Sequence, residues 1–291
     1  MTGPAVPVAA GSGIDPSARI GAVTLVVSDL ERALAFYAGV VGLWMHRVDD
    51  GVAALGAGDQ DLVVLVEDRG ARPAVGTTGL FHLAVRVPSR LELARSIQRI
   101  VFARMNLTGF ADHLVCESVY LDDPDGNGVE IYFDRPSAEW PLADGRIKMA
   151  TDPLDLYGAL ASSGGRSTPP EQVDVGTVVG HVHLCVADAA VAETFYREVI
   201  GLDVMVRFPA SSMLGAGGYH HHVGVNHAHT EGAPPPEPGS LGMRHFELIV
   251  GDTGPVVGRL GETGEPHPDG VVGTDPSGNR ILVRSAGPDR I

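Results

Sequence analysis

Basic residues are scarce in this chain: 21 Lys and Arg stand against 36 Asp and Glu over 291 residues, a formal net charge of −15. No Lys/Arg cluster stands out, so the sequence carries no footprint for a nucleic-acid backbone or an anionic membrane surface, and an acidic solvated exterior accounts for the charge. Cysteine is scarcer still. Cys116 and Cys185 fall in apolar stretches of opposite halves, a pattern expected of two reduced thiols in a cytoplasmic protein rather than of a disulfide framework. No stretch reaches the roughly 18 apolar residues that cross a bilayer. The first 18 residues lack a basic start followed by an unbroken apolar run, so no signal peptide is expected. Aromatic residues amount to 5%, which argues against a binding groove walled mainly by rings.

What is present is repetition. Ala22-Val23-Thr24-Leu25, His82-Leu83-Ala84-Val85, His181-Val182-His183-Leu184 and His245-Phe246-Glu247-Leu248 are each followed, seven residues after their first, by Asp29, Ser89, Asp188 or Asp252. All four are good helix N-caps, so each unit reads as a strand running into a helix. The starts lie 60, 99 and 64 residues apart, which makes two pairs of modules. Phe36-Tyr37 and Phe195-Tyr196, then Val40-Val41-Gly42-Leu43 and Val199-Ile200-Gly201-Leu202, keep one offset of 159 between the halves. Near each half's end stand Asp123-Pro124-Asp125-Gly126-Asn127 and Asp275-Pro276-Ser277-Gly278-Asn279, tight turns between strands.

Each module reads as strand, helix and three more strands. In the first these fall near 20–27, 30–39, 43–48, 52–55 and 61–66, and the third repeats the helix near 190–200. Two domains are expected, 18–136 (modules one and two) and 178–286 (modules three and four), of a length that builds an ordinary core. A connector, 137–177, is broken by Gly164-Gly165 and Pro169-Pro170 around a short helix at 155–160. Pro234-Pro235-Pro236-Glu237-Pro238 reads as a rigid spacer. Sheets of this kind, curling together in pairs, leave a concave space for a metal or small ligand.

The modules, the Phe-Tyr pair and the Asp-Pro-x-Gly-Asn turn resemble the vicinal oxygen chelate superfamily of glyoxalases, extradiol dioxygenases and bleomycin-resistance proteins, over about residues 18–134 and 178–285. Gly79-Leu80-Phe81-His82, Asp112-His113-Leu114-Val115, Tyr120-Leu121 with Glu130, Gly180-His181-Val182-His183-Leu184 and Gly218-Tyr219-His220-His221-His222 bring it closer to the two-domain catechol 2,3-dioxygenase group. The resemblance implies an α+β fold of four βαβββ modules with curled mixed sheets. It also implies iron(II) as metal, with a small aromatic diol and dioxygen as substrates; a homo-oligomer is compatible with it.

Iron(II) that binds a diol and dioxygen takes two histidines and a carboxylate, with neighbouring positions open. Modules two and three supply that set as His82, Glu130 and His181. Module one has Ala22 in place of a histidine, and module four has His245 but Leu282 where Glu130 sits relative to the turn. In familiar two-domain relatives the ligands come from the third and fourth modules, so two arrangements compete. If module two pairs with three and one with four, His82, Glu130 and His181 converge. Sequential pairing instead offers His181, His245 and one of His220 to His222. The first is preferred because it leaves no motif unexplained. The resemblance makes His221 the acid/base residue, Tyr120 a phenol that hydrogen-bonds the metal-bound substrate oxygen, and His113 a supporting residue. His220 to His222 are expected to alternate across a strand, and His183, His227 and His229 to be surface or supporting residues. A glyoxalase-type isomerase or lyase would instead use zinc, nickel or manganese with a fourth ligand such as His222, and a sequestering protein would bind without turnover.

Overall fold

The computed structural model describes residues 13–164 and 168–286; the first twelve residues, part of the stretch read for a signal, and Gly165 of the Gly164-Gly165 break lie outside them. Two eight-stranded mixed sheets carry the fold. One takes Gly242–Val250 and three further strands of module four and joins them to module one through Arg19–Val27, antiparallel to Gly242–Val250. The other joins module two to module three through Gly79–Arg86 and Val178–Cys185, also antiparallel. The chain therefore adopts the first of the two pairings: each sheet is built from both halves of the sequence.

The local signals explain the modules. Asp29 accepts from the backbone N–H of Arg32, Ser89 from that of Glu92, and Asp188 from those of Ala190 and Val191, each starting a helix. In module four the helix begins at Gly254 after Thr253, and Asp252, one residue ahead of the cap, still accepts from the N–H of Gly254. The helices of modules one and three run into π-helical turns, Tyr37–Val41 and Phe195–Ile200, that close at Gly42 and Gly201 with φ of 88° and 98°. Only glycine adopts that backbone without strain, which accounts for the repeated Gly-Leu.

The Phe-Tyr pair and the Asp-Pro-x-Gly-Asn turn prove to be two ends of one bond. The Tyr37 hydroxyl donates to Asp123 at 3.0 Å and the Tyr196 hydroxyl to Asp275 at 3.1 Å. Each links a helix of one sheet's module to a turn of the other sheet's module.

Alternation places the core. Val23, Leu25 and Val27 of one sheet, and Leu83, Val85, Val182 and Leu184 of the other, join Phe36, Ile97 and Tyr196 in one continuous core. Burying each such side chain contributes about 1.5–3 kcal/mol. Successive side chains on a strand point to opposite faces, so Ala22 and Thr24, and likewise His82, Ala84, His181 and His183, fall on the faces turned from that core. The connector is not bare: it holds a hairpin, Leu142–Ala143 with Arg146–Ile147, and the expected short helix, Leu156–Ala161, capped by Asp155.

Candidate metal centre

Strand register assembles the site. Ala84 stands opposite Glu130 on one side and His181 on the other, and Tyr120 stands opposite Glu130. Directly paired residues share a face, so Tyr120, Glu130, Ala84 and His181 form one row across the concave side, with His82 two residues along. The methyl of Ala84 leaves the middle of that row low.

Above it three buried side chains converge. His82 Nε2 and His181 Nε2 lie 2.9 and 3.0 Å from the same Glu130 oxygen, Oε2, and the three ligand atoms all lie within 4.8 Å of one another. His181 is hydrogen-bonded to Glu130. His82 Nε2 is equally close, yet it is buried without hydrogen-bonding geometry to any partner among the described residues. A donor nitrogen that approaches a carboxylate without bonding to it is aimed at a point both share. Two ligands at right angles about a metal with bonds of roughly 2.1 Å lie about 3 Å apart, which is the separation found. Two nitrogens and one oxygen suit a first-row divalent metal and leave part of its coordination open.

The protonation states fit as well. Burial pushes His181 down to about 4 despite the opposing charge of Glu130, so the ring is neutral. Burial works to raise Glu130, but its contacts with His181 and His82 outweigh that and hold the carboxyl well below its usual range. Neutral imidazole and ionised carboxylate are the forms that bind metal.

The trio lines a cavity of about 620 Å³ with Tyr120, His113 and His221. His113 Nδ1 lies 2.7 Å from the Ala150 carbonyl oxygen, which can only accept, so Nδ1 carries the proton. Its Nε2 lies 2.7 Å from the Tyr120 hydroxyl, and in the Nδ1–H tautomer it accepts from that hydroxyl. Burial and the Glu130 charge push that phenol well above 10. His221 packs against His181 with tilted rings, centroids 4.0 Å apart, and burial keeps it well below 6.5, hence neutral.

Other expected residues lie elsewhere. His220 to His222 occupy a bend before the strand Val223–Asn226 rather than a strand, so they do not alternate: His220 Nδ1 and His221 Nδ1 touch at 2.7 Å. His222 turns away, its Nδ1 accepting from the Ala216 N–H at 3.2 Å. His245 belongs to the other sheet, 3.4 Å from Thr24 Oγ1, because its strand pairs with module one. Leu282, opposite Glu247 in that sheet, is buried and apolar.

His183, expected at the surface or in support, lines the cavity beside the rings of Phe81 and His82. Its spacing of two from His181 was the available signal. Met149, Ala150 and Thr151 of the connector also line the cavity, and nothing in their composition marks them.

The glyoxalase/bleomycin resistance protein/dioxygenase superfamily model matches residues 19–131 and 178–283. Catechol-2,3-dioxygenase of Bacillus subtilis (strain 168) is 34% identical over 245 residues, covering 82% of this chain and 85% of the relative. Among solved structures, glyoxalase I from Zea mays superposes with a TM-score of 0.58 at 17% identity, covering 92% of each chain. The cppA protein from Streptococcus pneumoniae TIGR4 gives 0.55 at 11% identity, covering 92% of this chain and 99% of its own; both likenesses concern the fold. The chain belongs to the glyoxalase/bleomycin resistance protein/dioxygenase superfamily.

Proposed function

We propose that this protein is an extradiol dioxygenase that opens the ring of a catechol-type diol beside its two hydroxyl groups. The observation that carries the reading is the convergence of His82, His181 and Glu130 on one point in a cavity that His221 and Tyr120 also face. Iron(II) held by these three would supply Lewis acidity toward the diol oxygens and electrons for dioxygen. His82, His181 and Glu130 orient it and bring one negative charge. His221, neutral beside His181, takes a proton from a diol hydroxyl and later returns it to the opening product. Tyr120 keeps its proton, donated to His113, and its oxygen accepts from the substrate's other hydroxyl. Phe81, Met149, Phe208 and Met213 give the cavity apolar walls that hold the ring and limit water. The 34% relative, catechol-2,3-dioxygenase, supports the same chemistry.

The test is anaerobic reconstitution of the chain with iron(II), followed by catechol and air. Oxygen uptake with a yellow ring-opened product is expected. Bound iron without uptake would overturn the reading, and turnover of a thiol adduct with zinc or nickel instead would place the protein with the isomerases.

A further inference from the structure

Beside the proposed metal trio, a second buried polar assembly begins at Asp134. This residue lies four after Glu130 on the last strand of module two, and period-two alternation puts Glu130, Tyr132 and Asp134 on one face. Asp134 Oδ1 lies 2.8 Å from His220 Nε2, and His220 Nδ1 lies 2.7 Å from His221 Nδ1. The other carboxylate oxygen, Oδ2, accepts from the Tyr219 hydroxyl at 2.9 Å and from the Arg86 guanidinium at 3.3 Å. Tyr132 touches Tyr219, hydroxyl to hydroxyl, at 2.7 Å. Trp140 packs on His220, ring centroids 5.2 Å apart, and His220 itself is fully buried.

We propose that Asp134 and His220 are positioning residues that hold His221 in one tautomer, with its proton on Nδ1 and the lone pair of Nε2 turned to the cavity. The inference deepens the dioxygenase reading and rests on it for its catalytic meaning. The direction of each bond follows from which atoms can donate. A carboxylate only accepts, so His220 carries its proton on Nε2. With one proton on each ring, His220 Nδ1 is then an acceptor, and the 2.7 Å contact requires His221 Nδ1 to donate. Nε2 is left as the basic atom of a ring that lines the cavity.

When a diol hydroxyl is deprotonated, its O–H bond breaks and an N–H bond forms at His221 Nε2. The imidazolium so formed still donates Nδ1–H to His220, with the Asp134 charge behind it; the same bond partners serve the return of the proton. Cys116 lies near Asp134 and His220 and completes a second group of potential metal ligands. Its thiol is pushed well up by burial, and both His220 nitrogens are already engaged, so the relay accounts for the group better than an ion does.

The experiment is imidazole nitrogen NMR on the full chain with labelled histidine and no added iron, His221 being assigned by the signal lost in His221→Gln. Proton on Nδ1 is expected; proton on Nε2 in the unsubstituted chain overturns the proposal without reference to any activity. Asp134→Asn keeps the shape, but its amide oxygen turns to Tyr219 and Arg86 and its NH₂ to His220, reversing both bonds. His221 should then shift to the Nε2–H form and kcat should fall on the order of 100- to 10,000-fold, with iron content and anaerobic catechol Kd within twofold. An unchanged tautomer in Asp134→Asn overturns the proposal. His220→Asn keeps an acceptor near Nδ1 of His221 but cuts the link to Asp134, so adding Asp134→Asn to it should cost nothing further, and an equal loss in both backgrounds also overturns it. A chain that consumes no oxygen at all refutes the dioxygenase reading, while the NMR result still decides the tautomer.

Discussion

His222 makes an acid-sensitive element of the fold whose size follows from its surroundings. The side chain is buried, its Nδ1 accepts the Ala216 N–H, and burial, with His220 nearby, lowers its pKa from 6.5 to about 3. Between those values the unfolded chain binds a proton that the native ring refuses. Stability therefore rises with pH across this window and is lost as pH falls below 6.5, by about 1.4 kcal/mol for each pH unit. From pH 6.5 to 5 this single group removes about 2 kcal/mol, and complete protonation at still lower pH would cost about 5 kcal/mol. Urea unfolding of the metal-free chain at pH 7.5, 6.5, 5.8 and 5.0 measures the slope. His222→Gln, which keeps an amide oxygen near the Ala216 N–H, should flatten it by one proton's worth in that interval. A variant whose stability follows pH as steeply as the parent would show that the native ring accepts the proton, and the reasoning from burial would fail.

Glu130→Gln and Leu282→Gln occupy equivalent places after the two turns, but only the first removes a proposed ligand. Metal analysis after dialysis against iron(II) should find the metal lost in Glu130→Gln and retained in Leu282→Gln. Tyr37→Phe and Tyr196→Phe each leave a buried aspartate short of one donor, which should lower unfolding free energy in urea by about 1–3 kcal/mol; shifts below half a kcal/mol would mean that the remaining donors compensate. Gly180→Ala places a methyl where the Tyr132 hydroxyl now lies, and Tyr132 packs on His181 with centroids 4.9 Å apart. Loss of iron affinity by at least tenfold is expected, as for disturbed support of a ligand, and unchanged affinity by titration would refute that link.

The module pattern was legible because each module repeats the same local physics: a capped helix after an apolar strand, and a glycine where the backbone turns left-handed. The pairing of modules was legible only indirectly, through chemistry, since two histidines and a carboxylate could meet in one arrangement and not in the other. Register then placed Glu130, Ala84 and His181 in a row that no periodicity within one segment specifies. Of the two places expected for His183, surface or support, the structure gives the second, as its spacing of two from His181 allows. The bond between Asp134 and His220 was not legible, because the two lie 86 residues apart. The connector's part in the cavity depends on Ala150 offering a backbone carbonyl to His113, a role that any residue type can play.

Arg19 pairs with Ile249 across almost the whole chain, and His181 reaches Glu130 from the opposite half. Each half thus behaves toward the other as one subunit of an exchanged dimer whose linker was never cut. A nascent chain that has emerged only through Asp134 exposes two unpaired central strands and owns two of the three proposed metal ligands. It can neither finish a sheet nor grip the metal until Val178–Cys185 arrives. Fragments divided within the connector should accordingly stay poorly folded apart and regain metal binding only on mixing, so that loading of the centre reports completion of the chain.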